Sequence, residues 1–392
     1  METKFKTLLK LSLLCSVAAL INCTPESKLN SSIIDFEQIT IKHQIQNMGN
    51  RIKSIEFIPL ESSQNNPLSD ISKIIYHQDK FYIHADDNIQ VYSRDGKYID
   101  SFGSLGRGPN EHNSILDFTI DKKNDKLILY DFIDNKLKIF NFNAELIYSI
   151  TVEPILEISS DNNGSIVSYP LNLLGNNPKK LFVTNLMGSL LNTSQNYITF
   201  SLKGEPFIIP VKGVFYTYDN TLHFKQMFSD TIFYLNHSTN NLIPKYTIQN
   251  INTFPLDLLG DRLKYIKNRN NYSWITRVQE TKEMLLFDYF NKGINERAIY
   301  LKSEGTLVKI NSSKSSDKIF EKSAIFWPNE YDEKIGIIKH WSAIDFKDFF
   351  KNIDKYDDSN LFLERIQNKN FKEIYKSIKD EDNHIIQIIK FN

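Results

Sequence analysis

Cysteine is nearly missing from this sequence. Among 392 residues only Cys15 and Cys23 are cysteines. Everything beyond residue 23 is therefore without internal disulfides and without thiolate metal sites. Glycine and proline are also scarce, at 14 and 12 residues. Neither sign of charge is in excess, since 47 basic residues face 47 acidic ones. Proteins that bind nucleic acid usually carry a basic surplus to displace counterions from phosphates, so nucleic acid is not an expected partner. Catalytic and metal signatures are missing as well. The eight histidines form no HExxH pair, no Gly-Lys-Ser/Thr phosphate loop is present, and the repeated aspartate boxes of sialidases are absent. No cofactor and no bound metal are expected.

What is abundant is aromatic and β-branched. The chain has 27 Phe and 19 Tyr, and 41% of it is hydrophobic, enough for a sizeable core and too much for a disordered chain. Such side chains fit a pleated, half-buried surface, so strands are expected.

The N-terminus reads as an address. Lys4, Lys6 and Lys10 precede an uncharged run from Leu11 to Ile21. That run is about half the ~20 residues that span a bilayer, which suits a signal peptide better than a membrane helix. Its end, Leu20-Ile21-Asn22-Cys23, resembles a bacterial lipobox. The resemblance implies cleavage before Cys23 and acylation of its thiol, with residues 23–32 as a polar tether. Two or three acyl chains would hold firmly, at about 0.8 kcal/mol per buried CH₂. Removing residues 1–22 takes away three lysines and Glu2, which leaves a net charge of −2.

The body repeats. Residues 81–99 and 127–147 share one plan. A strand (Phe81-Tyr82-Ile83 or Leu127-Ile128-Leu129) runs into an Asp-Asn turn. A second strand alternates apolar and polar residues (Ile89 to Tyr92, Leu137 to Phe140). After a second turn comes a third strand (Lys97 to Ile99, Glu145 to Ile147). Each unit has a further strand in front, Ile71 to Tyr76 or Ile115 to Ile120. Four short strands every 45 residues or so are the blade period of a β-propeller. Weaker units follow at 157–203, 206–250 and 279–312, and a sixth starts near Lys318 with Ala324 to Trp327 and Ile335 to Ile338 as strands. Apolar residues at helical spacing predict one inserted helix over 255–268 (Leu256, Leu259, Leu263, Ile266) and two over 343–379, all packing their stripes into the core. The C-terminal run His384 to Phe391 and the early run Arg51 to Leu60 both read as strands. Pairing them in blade six would leave no open ring edge.

Several of these stretches, in this order, resemble six-bladed β-propeller lipoproteins of Bacteroidetes-type bacteria, which are similar to NHL-repeat propellers. They are Phe57-Ile58-Pro59-Leu60-Glu61, Ile71-Ser72-Lys73-Ile74, Tyr98 to Gly103 running into Gly106-Arg107-Gly108-Pro109-Asn110-Glu111, Asp117 to Asp121, Ser229 to Ile232, Pro244-Lys245-Tyr246 and Glu381-Asp382-Asn383. The resemblance implies an all-β, six-bladed β-propeller over residues 33–392 and an envelope address. It implies no particular activity.

The most site-like stretch is Gly106 to His112, which joins one blade to the next. Read functionally, Arg107 pairs with an anionic group, Glu111 or His112 hydrogen-bonds a ligand or contacts a metal, and Asn110 is a further ligand contact. Read structurally, the same stretch is a crossing loop whose geometry demands its glycines. Two functions are open. The first is a monomeric, lipid-anchored envelope module, periplasmic or at the surface, that binds a protein, glycan or peptide. The second is a propeller hydrolase or lyase with acids in its channel and, in one version, Ca²⁺ on oxygen ligands.

Overall fold

The computed structural model describes residues 31–39, 48–62, 67–106, 108, 111–203, 213–310, 319, 323–369 and 371–392. Six antiparallel sheets follow one another along the chain. Blade 1 holds Ile71–His77, Lys80–Ala85, Asn88–Ser93 and Tyr98–Phe102. Blade 2 holds Ile115–Asp121, Lys126–Asp131, Lys136–Phe140 and Leu146–Thr151. Blade 3 runs through Ile155–Ser160, Ser165–Pro170, Lys179–Asn185 and Leu190–Gln195. Blade 4 runs through Gly213–Tyr218, Thr221–Gln226, Thr231–Asn236 and Asn241–Gln249. Blade 5 is built from Ser273–Glu280, Met284–Asn291, Ile294–Leu301 and Thr306–Ile310. The architecture is a six-bladed β-propeller with a few inserted helices.

Blade 6 joins the two ends of the chain. Its strands, from the axis outward, are Glu330–Asp332, Gly336–Trp341, Ile385–Phe391 and Ile52–Pro59. Ile52 lies opposite Phe391 and Pro59 opposite Ile385. The Asn392 amide then donates to Arg51 O at 2.9 Å. An early strand thus completes the last sheet, and the ring has no gap.

The core follows from this arrangement. Each blade covers its neighbour, so the central strands are buried on both faces and read as continuous apolar runs. Six hydrophobic clusters lie in the six clefts between successive blades. The cluster between blades 5 and 6 is the largest, because the C-terminal helices pack into it. Phe57 meets Phe346, Phe350 and Phe371 with ring centroids 5.2, 5.4 and 5.5 Å apart.

Four local readings of the sequence are corrected. Ala324 to Trp327 is not a strand, since Ser323–Phe326 forms a helical turn and Trp327 Nε1 donates to Asp288 Oδ2 at 3.0 Å. Blade 5 starts at Ser273, not at residue 279. The stretch 343–379 forms three helices, Ala343–Lys351, Ser359–Glu364 and Phe371–Ser377. The first is capped by Ser342, which accepts from the Asp345 amide. Finally, 255–268 splits into a 3₁₀ turn at Leu256–Leu258 and a helix at Arg262–Asn268. The break falls at Gly260, whose backbone presses so closely on Ser201 O that a Cβ would lie 1.8 Å from it. Leu259 is fully buried, but Leu263 and Ile266 are 78% and 53% exposed, so this stripe does not pack into the core as expected.

A fifth strand joins blade 4. Ser32–Asp35 lies parallel to its outermost strand, with Ser32 opposite Tyr246 and Asp35 opposite Gln249.

Candidate functional site: the axial channel

The innermost strands of four blades lose register at the same step. Pairing shifts between Ile71 and Lys73, Ile115 and Asp117, Ile155 and Glu157, and Ile275 and Arg277. A bulge adds one residue, bends the strand and re-aims the next side chain. In all four cases that side chain is charged, and all four line a cavity of about 470 Å³ at one end of the channel, the upper end. A second cavity of about 390 Å³ occupies the lower end. Lys73, Ile74, Phe215, Gln279 and Glu330 line both and form the waist between them.

The upper cavity is chemically mixed. Lys73 Nζ lies 2.8 Å from Asp117 Oδ1. Asp117 Oδ2 accepts from the Ile158 amide at 2.8 Å, so this carboxylate also clips blade 2 to blade 3. One rung below, Thr119 Oγ1 accepts from the Ser160 amide at 3.0 Å. Arg277 Nη1 donates to Pro328 O at 2.8 Å.

Two imidazoles and a carboxyl complete the lining. His84 Nδ1 is 2.8 Å from Ser72 Oγ, while its buried Nε2 has no hydrogen-bond partner among the described residues. Burial holds His84 below the usual histidine pKa. His340 is pulled down to about 4 by burial and then by His384, whose ring centroid is 5.4 Å away. Burial pushes the Glu330 carboxyl up, against the opposing charges of Arg277 and Lys73. At neutral pH the mouth thus offers neutral imidazoles, an ion pair, a guanidinium and a carboxyl whose proton affinity burial raises. Leu116, Leu156, Val214 and Phe215 supply apolar wall. Such a surface can donate and accept hydrogen bonds to a ligand rich in hydroxyls or amides while covering its apolar parts.

The crossing loop leads directly into blade 2. Glu111 Oε2 accepts from the Gly108 amide at 2.5 Å. A Cβ on Gly106 would stand 2.2 Å from that same oxygen, so a side chain there would displace the Glu111 carboxylate. His112 is 1% exposed and donates from Nε2 to Asp87 O at 2.6 Å. Lys138 bridges the Glu111 carbonyl and Asp131 Oδ2, the latter at 2.9 Å. Glu111 and His112 are therefore engaged in shaping the loop. Arg107 and Asn110, and also Cys23, lie outside the described residues.

No local motif marks Lys73, Asp117, Glu157 or Arg277 as site residues. A signal was present. Three inner strands open Ile71-Ser72-Lys73, Ile115-Leu116-Asp117 and Ile155-Leu156-Glu157. Laid in phase, the repeats put a charge two residues after each leading isoleucine, inside otherwise apolar strands.

Solved structures share this fold. A Bacteroides fragilis protein described as exported superposes with a TM-score of 0.69 at 15% identity, covering 92% of this chain and 100% of its own. A member of the DUF4221 family from Bacteroides vulgatus gives 0.52 at 10% identity, covering 87% and 97%. At such identities the likeness concerns the fold alone. No curated protein matches the sequence. Among the described residues, no helix is long and apolar enough to cross a membrane. The sequence matches over residues 31–390 the model described as Domain of unknown function (DUF4934), and the chain belongs to that family.

Proposed function

We propose that this protein is a lipid-anchored envelope module, tethered through Cys23, whose upper channel mouth binds part of a protein, glycan or peptide ligand. One observation carries the reading: four blades spend a bulge at the same step to turn Lys73, Asp117, Glu157 and Arg277 toward one cavity. Bulges interrupt the ladder and concentrate beside functional sites, and here they bring charges of both signs to one cavity. The proposal keeps Arg107 and Asn110 of the crossing loop as candidate ligand contacts, with Glu111 and His112 supporting that loop. The test is a screen of envelope glycans and peptides against the full chain, followed by titration of any hit against Arg277→Ala and Lys73→Ala. The reading expects both variants to weaken binding at least several-fold while folding normally. Unchanged affinity in both would remove the channel from the account.

A second reading has its own observation. Glu330, raised by burial, lines the upper cavity together with Asp117, and a carboxyl whose pKa is raised is the kind of group that general acid catalysis uses. Among the described residues, no three His, Cys, Asp or Glu side chains are grouped to hold a metal ion. Turnover of a glycan or lactone that disappears in Glu330→Gln would favour this reading over binding alone.

A further inference from the structure

The direction of the first strand determines how the propeller is presented on its tether. In blade 4 the inner strand Gly213–Tyr218 runs from the upper cavity, lined by Gly213 and Val214, to the lower one, lined by Tyr216 and Thr217. Antiparallel pairing then reverses the sense at each step outward. Asn241–Gln249 therefore runs from lower to upper. Ser32–Asp35 is parallel to it, so it runs upward too. The polypeptide that precedes Ser32 enters from the lower side.

This strand is firmly seated. Ser31 Oγ lies 2.7 Å from Thr247 Oγ1. The Phe36 amide donates to Gln249 O at 3.0 Å, and Asn250 Nδ2 donates to Asp35 Oδ1 at 2.7 Å. Ile34 and Phe36 are buried, and Phe36 sets its edge against Phe287 and Tyr289 at 5.7 and 5.5 Å. The stretch between Cys23 and Ser31 is therefore all that separates the acylated residue from this strand. Fully extended, it reaches about 30 Å. Passing the five residues of blade 4 below Tyr246, Asn241 to Lys245, uses roughly 17 Å of that at a strand's rise. What is left beyond the lower rim is about 13 Å by the same measures.

We infer that the propeller sits with its lower face toward the lipid surface and its upper mouth directed away from it. The inference rests on acylation of Cys23. It gives the lower face a membrane as its neighbour and leaves the channel mouth with the four bulge-presented charges open to a partner in solution. Placing the upper mouth on the bilayer would require the leash to reverse and climb the outside of blade 4.

The chain beyond Cys23 has no cysteine, so a single added thiol can be labelled selectively on the acylated protein. Lys123→Cys marks an exposed lower turn of blade 2, and Ile133→Cys marks an upper turn that is 62% exposed. Asn163→Cys, on the neighbouring lower turn, serves should Lys123→Cys fold poorly. Each is labelled with a fluorophore and reconstituted, as full acylated chain, in phosphatidylethanolamine–phosphatidylglycerol vesicles carrying a spin-labelled headgroup. The expected result is quenching several-fold stronger at position 123 or 163 than at 133. Equal or reversed quenching in protein whose acylation is verified by mass overturns the orientation alone. Wild-type chain without acylation, behaving in flotation like Cys23→Ala, overturns the anchor and the orientation together.

Discussion

Lys302 Nζ lies 2.7 Å from Glu280 Oε1, and that carboxylate is entirely shielded from solvent. Lys245 approaches the same oxygen at 3.1 Å, and Tyr216 and Tyr246 donate to the carboxylate at 3.0 and 2.9 Å. Blade 4 supplies Tyr216, Lys245 and Tyr246, while blade 5 supplies Glu280 and Lys302. The cluster rivets two blades together. Removing one partner of such a buried network leaves uncompensated charge, which costs about 3–5 kcal/mol. Glu280→Ala should therefore lower unfolding stability by that amount in urea titrations. A loss under about 1 kcal/mol, the worth of an exposed pair, would show that the cluster contributes little.

The same cluster makes the fold acid-sensitive. Burial raises the pKa of Glu280, but the bond from Lys302 and the charges of Lys302 and Lys245 outweigh it, and the net shift is downward. His223, whose Nε2 lies 2.9 Å from Lys245 Nζ, is lowered to about 4 by burial and then by Lys245. In both groups the unfolded chain takes up protons at higher pH than the folded one. Stability is then fully present above the unfolded values and is lost as pH falls. The decline should begin near pH 6.5, where the unfolded imidazole titrates, and steepen below pH 4.5 as Glu280 protonates. Melting temperatures from pH 8 to 4 check this. His223→Asn should flatten the upper part of the curve, and an unchanged slope would refute the assignment.

Ring closure can be probed at one glycine. Gly336 has φ of +101°, and a Cβ there would meet Ile389 O at 2.3 Å. Gly336→Ala combines left-handed strain with a clash against the last strand, so a loss of about 2 kcal/mol or more is expected. Thermal melting would show it. Gly305→Ala, at φ +63° with only Tyr300 Oη near and 4.0 Å away, should cost less, about 1 kcal/mol from backbone strain alone.

His112 tests the crossing loop. Its bond to Asp87 O ties blade 2's entry to blade 1. His112→Ala should cost about 1–3 kcal/mol through the unsatisfied carbonyl and lost packing, and should speed proteolytic cutting near residue 108. Unaltered cutting would mean that the loop is held by other contacts, such as Lys138.

Blades 1 and 2 were readable from sequence because their turns are short and their strand phases match. Blade 3 was harder because its second turn lengthens at Asn172–Asn177, where Asn side chains hold the backbone. An apolar stripe alone does not reveal where a helix is broken by a close approach such as that of Gly260 on Ser201. The parallel strand at Ser32–Asp35 is four residues long and lacks a turn signal. The channel charges escaped notice for another reason. Lys73, Asp117, Glu157 and Arg277 come from four separate repeats, so no local motif contains them. The bulges that converge them exist only in the pairing of strands.

Blade 6 also bears on how this polypeptide is made. Asn392 Nδ2 donates to Asn50 O across 342 residues of sequence, so blade 6 closes only after Ile385–Phe391 has been made and has met Ile52–Pro59. Contacts that distant slow folding, because a long loop must close before they reward it. Blades 1 and 2, whose strands are neighbours in sequence, can form before that closure takes place.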